Sequence, residues 1–195
     1  MTGKKYELTD EKIEFAGRTL HRIKSCIDFK TISGQIVNNG DLGGYIEKYD
    51  NLSQTDKSWV FDHAWVYGDA SVCGDARVYG DASVCGNAWV HGDACVYGNA
   101  KVYGNVRVFS DAKIAKTTEI FLAGPIGSRN DFTTFYKNKN DGISVKCGCF
   151  NGSIDDFENT VKENHNGTKH EKTYLKLIEL AKIQIEIGGK KDDVL

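Results

Sequence analysis

A chain of 195 residues fits one medium domain or two small ones and can bury a core without disulfide staples. Its 25 basic and 27 acidic side chains leave a net charge of -2, which argues against a nucleic-acid polymer or a membrane surface as partner and moves the search to local features. Six cysteines, Cys26, Cys73, Cys85, Cys95, Cys147 and Cys149, are too sparse for a secreted disulfide scaffold and read as thiols. The opening MTGKKYELTDEKIEF has no apolar signal core, and no run approaches the roughly 18 to 20 apolar residues of a membrane span. The expectation is a soluble, cytoplasmic protein.

In chain order, KIEFAGRTLHRI alternates apolar and polar residues on both sides of Ala16-Gly17, which predicts a β-hairpin. GDLGGYIEKYDNLSQ then leads into a six-residue repeat. Valine recurs at 60, 66, 72, 78, 84, 90, 96, 102 and 108, isoleucine continues the series at Ile114 and Ile120, and alanine stands two residues before most of them. Each unit reads A-x-V-x-G-[DN]. Alternation places alanine and valine on one side of a short strand. Gly-Asp or Gly-Asn then supplies the left-handed backbone that a corner needs. Three corners close a triangle, so eighteen residues make one coil and residue i stacks on i+18 at about 4.8 Å. Ile46 and Leu52 lie on the same lattice with two extra residues before Val60, which starts the solenoid one partial coil earlier. Its hairpin neighbour would cap the open first coil against edge-to-edge association.

The lattice sorts the outward side chains into three faces. One carries Trp65, Ser83, Lys101 and Glu119 beside Tyr67, Cys85, Tyr103 and Phe121; a second carries Ser71, Trp89 and Arg107 beside Cys73, His91 and Phe109. The third carries Trp59, Arg77, Cys95 and Lys113 beside Phe61, Tyr79 and Tyr97. Aromatic patches of this kind mark partner contacts. His91 occupies an ordinary lattice position with no partner to orient it as a base. The solenoid histidines, His63 and His91, are too few for zinc, so no metal or other cofactor is expected. Asp75, Asp93 and Asp111 stack on one corner, where Asx-type capping is the expected role.

After Phe121 the composition changes. TTFYK and ISVKC read as two strands joined by a turn at Asn140-Asp141-Gly142, Ser153 with Asp156 as the start of a helix bearing Phe157 and Val161, and Tyr174 to Ala181 as a second amphipathic helix. A ββαα module results. GPIGSRN is its candidate ligand loop: glycines at 124 and 127 allow close backbone approach, Ser128 and Asn130 add polar groups, and Arg129 can grip a phosphate or carboxylate bidentately. Phe135 and Tyr136 are candidate stacking surfaces, with Cys149 and Phe150 of CGCFNG nearby. Trp89, His91 and Arg107 form a second candidate set should the solenoid face lie in a subunit cleft. A base-nucleophile pair of Cys147 or Cys149 with His165 or His170 requires the helix to pack over the strand.

The A-x-V-x-G-[DN] hexad is similar to that of the hexapeptide-repeat proteins, and the resemblance implies a left-handed parallel β-helix and trimeric association. YELTDEKIEF, DLGGYIEKYDNLSQ and the A-x-V-Y-G-[DN] array together resemble a group of phage and bacterial members labelled transferases or polymer-forming proteins. The C-terminal module resembles one found behind several β-solenoids of phage proteins. The expected architecture is therefore mainly β: a hairpin cap over 1–45, a left-handed β-helix over 46–122 and an α+β module over 123–195. The expected function is a non-catalytic homotrimer that binds a small anionic, nucleotide-derived molecule and, in a phage, sequesters a host immune signalling nucleotide in the host cytoplasm. Two alternatives stand beside it, an acyltransferase using a CoA-linked donor and a structural or assembly protein; fold alone does not choose among them.

Overall fold

The structure, a computed structural model, describes residues 3–185. The strands β1 (Tyr6–Phe15) and β2 (Arg18–Ser25) form an antiparallel hairpin, and β2 pairs with β5 (Leu42–Ile46). Between them, β3 (Phe29–Lys30) and β4 (Ile36–Val37) make a separate small ribbon. Ten two-residue strands follow: β6 (Trp59–Val60), β7 (Trp65–Val66), β8 (Ser71–Val72), β9 (Arg77–Val78), β10 (Ser83–Val84), β11 (Trp89–Val90), β12 (Cys95–Val96), β13 (Lys101–Val102), β14 (Arg107–Val108) and β15 (Lys113–Ile114). They pair in parallel at eighteen-residue register, for example Trp65 with Ser83 and Ser83 with Lys101. The result is a β-solenoid of about four turns. Ile46 pairs with Val66 and Leu52 with Val72, a register of twenty, as the two extra residues before Val60 require.

Each coil contributes its valines and alanines to one continuous core, where Val66, Val84, Val102, Val72 and Val90 are fully buried. Main-chain bonds join coil to coil on every side, as from Tyr67 N to Val84 O at 3.0 Å and from His91 N to Val108 O at 2.9 Å. The corners tighten this stack further. Gly92 has φ +70°, and a Cβ built on it would stand 2.9 Å from Ser110 N in the next coil. Glycine is thus needed there for its backbone and for the close approach of its neighbour.

The first coil closes its corners with carboxylates. Glu47 accepts from Gly68 N at 2.6 Å, Asp56 from Gly74 N at 2.6 Å and Asp62 from Gly80 N at 3.0 Å. The corner capping expected of Asp75, Asp93 and Asp111 is therefore corrected: the carboxylates that reach corner amides belong to the first coil, and Asp111 instead accepts from Ser144 Oγ at 3.2 Å. Asp56 also faces Lys5, whose side chain is almost fully buried with Nζ 3.5 Å from the carboxylate and 2.8 Å from Ser58 O.

After Ile114, Ala115-Lys116-Thr117-Thr118 stands in place of the glycine corner. Buried Glu119 accepts from Ala115 N at 2.6 Å and Lys116 N at 3.0 Å and redirects the chain. Ile120 then opens β16 (Ile120–Ile126), which pairs antiparallel with β17 (Asp131–Lys137); β18 (Ile143–Cys147) and β19 (Phe150–Ser153) complete a four-stranded sheet in that order. Two helices, α1 (Ile154–His165) and α2 (Lys169–Gln184), pack on it. The module thus has four strands, not two, and its first begins at Ile120, which the lattice assigned to the solenoid, and runs through Gly124-Pro125-Ile126 of the expected ligand loop. No helix among the described residues is long and apolar enough to cross a membrane.

Two outcomes test these contacts. Gly92→Ala should lower the unfolding free energy by about 2 to 4 kcal/mol, whereas Gly17→Ala, with φ +76° but open space around its Cβ, should lose only about 1 kcal/mol; equal losses in urea denaturation would remove the close approach as a cause. Burial lowers the Lys5 pKa from 10.5 to about 8, against the opposing pull of Asp56. The unfolded state then binds more protons between those values, so stability rises with pH across that window. Relative to Lys5→Met, the wild type should gain about 2 kcal/mol between about pH 7 and pH 9.5, and a pH-independent difference would contradict it.

Candidate functional site

Two turns at the same end of the module sheet build the site. The first joins β16 to β17: Ile126 pairs with Asp131, and Gly127-Ser128-Arg129-Asn130 forms the loop between them. The second joins β18 to β19, where Cys147 pairs with Phe150 across Gly148-Cys149. Because Thr133 pairs with Cys147, the loops stand side by side. Arg129 leans over the second turn, its Nη1 3.6 Å from where a Cβ on Gly148 would lie. Above them pass Phe157, Thr160, Val161, Asn164 and His165 of α1 and Tyr174 of α2. Together these enclose a cavity of about 280 Å³.

Much of the lining is aromatic. Phe150 lies 5.1 Å from Phe157 and Phe157 lies 5.5 Å from Tyr174, centroid to centroid, with His165 tilted against Tyr174 at 5.8 Å. Gly127 has φ +74°, and a Cβ there would overlap the Tyr174 hydroxyl. Loop and helix meet at that point. Burial, reinforced by the Cys147 thiol, raises the Tyr174 pKa. Cys147 Sγ in turn accepts from Thr133 Oγ1 at 3.1 Å and lies 3.7 Å from the Tyr174 hydroxyl. Asp131 also lines the cavity. Its Oδ2 faces Arg107 Nη1 of the solenoid at 3.5 Å and its Oδ1 accepts from Phe132 N at 2.7 Å. Arg129 has no carboxylate partner among the described residues.

Of the residues singled out from the sequence, Ser128, Arg129, Cys149 and Phe150 line this cavity. Asn130 does not; it has φ +51° and its N–H closes the turn onto Gly127 O at 3.4 Å. Phe135 and Tyr136 are corrected as stacking surfaces, because both are fully buried. They point to opposite sides of β17, Phe135 into the core between sheet and helices and Tyr136 into the solenoid core. The Tyr136 hydroxyl bonds Asn151 Oδ1 at 3.2 Å, and burial raises its pKa.

The solenoid candidates form no common site. Trp89, 42% exposed, donates Nε1–H to Cys73 Sγ at 3.3 Å and stands edge-on to both His91 and Phe109. His91 lies tilted on Phe109 at 5.4 Å, with Lys146 Nζ 4.9 Å from the far partner's ring centroid. Trp89 and Arg107 border a shallow depression that His91 does not line. Thr160 and Asn164 were missed by sequence reasoning, which named His165 only as a base for Cys147 or Cys149. Their signal was spacing, since 160, 161, 164 and 165 share one stripe of α1 with Phe157. Cys147, Cys149 and His165 do line one cavity, although no thiol-imidazole bond joins them. Among the described residues no three His, Cys, Asp or Glu side chains cluster as metal ligands.

No protein-family model matches the chain, and no curated protein matches it.

The contact between Gly127 and Tyr174 is open to a double-variant test. Gly127→Ala should destabilise the chain, and adding Tyr174→Phe, which removes the overlapping hydroxyl, should recover part of the loss, giving a coupling of about 1 kcal/mol. Strict additivity in thermal or urea unfolding would show that loop and helix do not meet there.

Proposed function

We propose that this protein is a non-catalytic binding protein whose module cavity holds a small anionic, nucleotide-derived ligand. The observation that carries the reading is the pairing of Arg129, whose charge no described carboxylate neutralises, with the aromatic lining of Phe150, Phe157 and Tyr174. Such a combination suits a ring bearing a phosphate or carboxylate, bound by stacking at one end and by a bidentate guanidinium at the other. Within this proposal the solenoid is a left-handed helix of the hexapeptide-repeat type and the β1–β2 hairpin is its cap. Three chains associate through its aromatic first face, where Tyr103 is 58% and Phe15 40% exposed beside Trp65 and Tyr67. In a phage the activity would be sequestration of a host immune signalling nucleotide in the host cytoplasm.

One observation favours a second reading, acyl transfer from a CoA-linked donor: Cys147, Cys149 and His165 share the cavity. It ranks second because the Cys147 thiol engages the hydroxyls of Thr133 and Tyr174 rather than a base. His91, held in its aromatic stack, has no place in either.

A thermal-shift screen of cyclic, ADP-ribose and simple nucleotides tests the proposal. A true ligand at about 100 times its Kd stabilises by about 2.7 kcal/mol, is recovered intact on denaturation, and loses its effect in Arg129→Gln. Steady consumption of acetyl-CoA abolished by His165→Ala would replace binding by catalysis. Absence of any shift with either class would turn the assignment to an assembly role, read from the oligomeric state of Tyr103→Glu.

A further inference from the structure

We propose that the cavity accepts a ligand with one aromatic ring system and one anionic group, a mononucleotide and not a dinucleotide. The inference rests on the anion-binding reading above and narrows its ligand class. Size is the first ground. A volume of about 280 Å³ falls just below the roughly 300 to 1,000 Å³ of small-molecule sites, which favours a ligand with one base over one with two bases and two phosphates.

The division of the lining is the second ground. Phe150, Phe157 and Tyr174 make a single aromatic cluster, adjacent rings standing 5.1 and 5.5 Å apart, in which Phe157 and Tyr174 are buried and half-buried Phe150 presents the face on which one ring system can stack. Among the described residues the polar side offers one guanidinium without a carboxylate partner, that of Arg129, while the carboxylate of the lining, Asp131, is already paired. Asp131 is held by Arg107 at 3.5 Å and by Phe132 N–H at 2.7 Å. A phosphate monoester fits the fork of one guanidinium. A second phosphate would meet Asp131.

Arg107 thereby acquires a role at a distance from the ligand. It lies on the solenoid, yet it neutralises the one carboxylate of the cavity wall, and without it Asp131 would oppose an incoming anion. Arg107 is a positioning residue: it sets the charge that the anion meets and does not touch it.

Isothermal titration calorimetry of the full chain with AMP, GMP, CMP and UMP, with cyclic di-AMP and cyclic di-GMP, and with inorganic phosphate tests the inference. The expected result is one mononucleotide per chain, bound at least about tenfold tighter than inorganic phosphate or the corresponding cyclic dinucleotide, and weakened at least about tenfold by Arg129→Gln. Arg107→Gln should weaken it by about threefold or more, and adding Asp131→Asn should restore the affinity. A cyclic dinucleotide that binds tighter than its mononucleotide overturns the narrowing and leaves the anion-binding reading in place. Inorganic phosphate binding as tightly as every mononucleotide overturns the ring requirement. Failure of Asp131→Asn to restore the Arg107→Gln variant overturns the charge balance, and no binding of any nucleotide overturns both this inference and the reading beneath it.

Discussion

Coil-on-coil hydrogen bonding at eighteen-residue register is the constraint from which most of this molecule follows. Once residue i lies over i+18, every inward valine meets a valine or isoleucine and every outward side chain meets a fixed neighbour. The pairing of His91 with Phe109 and of Tyr79 with Tyr97 is a consequence of that register. The corners obey it most strictly, because successive coils approach there backbone to backbone. After Ile114, where Glu119 holds the amides of Ala115 and Lys116, the chain leaves the register and the next strand starts a different sheet.

The solenoid was legible because its information is repeated at every sixth position, so an error at one unit is outvoted by its neighbours. Even the two-residue insertion ahead of Val60 could be read, since it displaces one register by two. The module offers no such redundancy. Ile120 kept the period of the repeat while belonging to the next sheet, and Phe150-Asn-Gly-Ser153 has the composition of a turn while forming an edge strand. Phe135 and Tyr136 illustrate a subtler loss. An aromatic pair in a strand is equally consistent with a ligand platform and with burial on both sides, and only the placement of β17 between two cores decides.

At the candidate site, the two glycine-containing turns were readable as turns, each from its own few residues. Their adjacency was not, because it depends on the pairing of Thr133 with Cys147. The helix above them was legible from Ser153 and Asp156, but its placement was not: Thr160, Asn164 and His165 become cavity residues only through where α1 packs. Arg107 is the clearest case. It had been grouped with Trp89 and His91 as neighbours on one solenoid face, yet its guanidinium turns toward Asp131 of the module. Side-chain reach of several ångströms is enough to move a residue from one site to another.

The two-sided burial of β17 has a thermodynamic consequence. Tyr136 fills the solenoid core while its neighbour Phe135 fills the core beneath the helices, and Arg107 N donates to Thr134 Oγ1 at 3.1 Å within the same strand. Melting the module would vacate the Tyr136 site in the solenoid core, and melting the solenoid would expose Tyr136. Repeat solenoids ordinarily fray unit by unit from an end, since each coil depends only on its neighbours. Here the last coils are locked to a globular partner by a shared strand, so that end is joined to a cooperative unit and the fraying front must begin at the other.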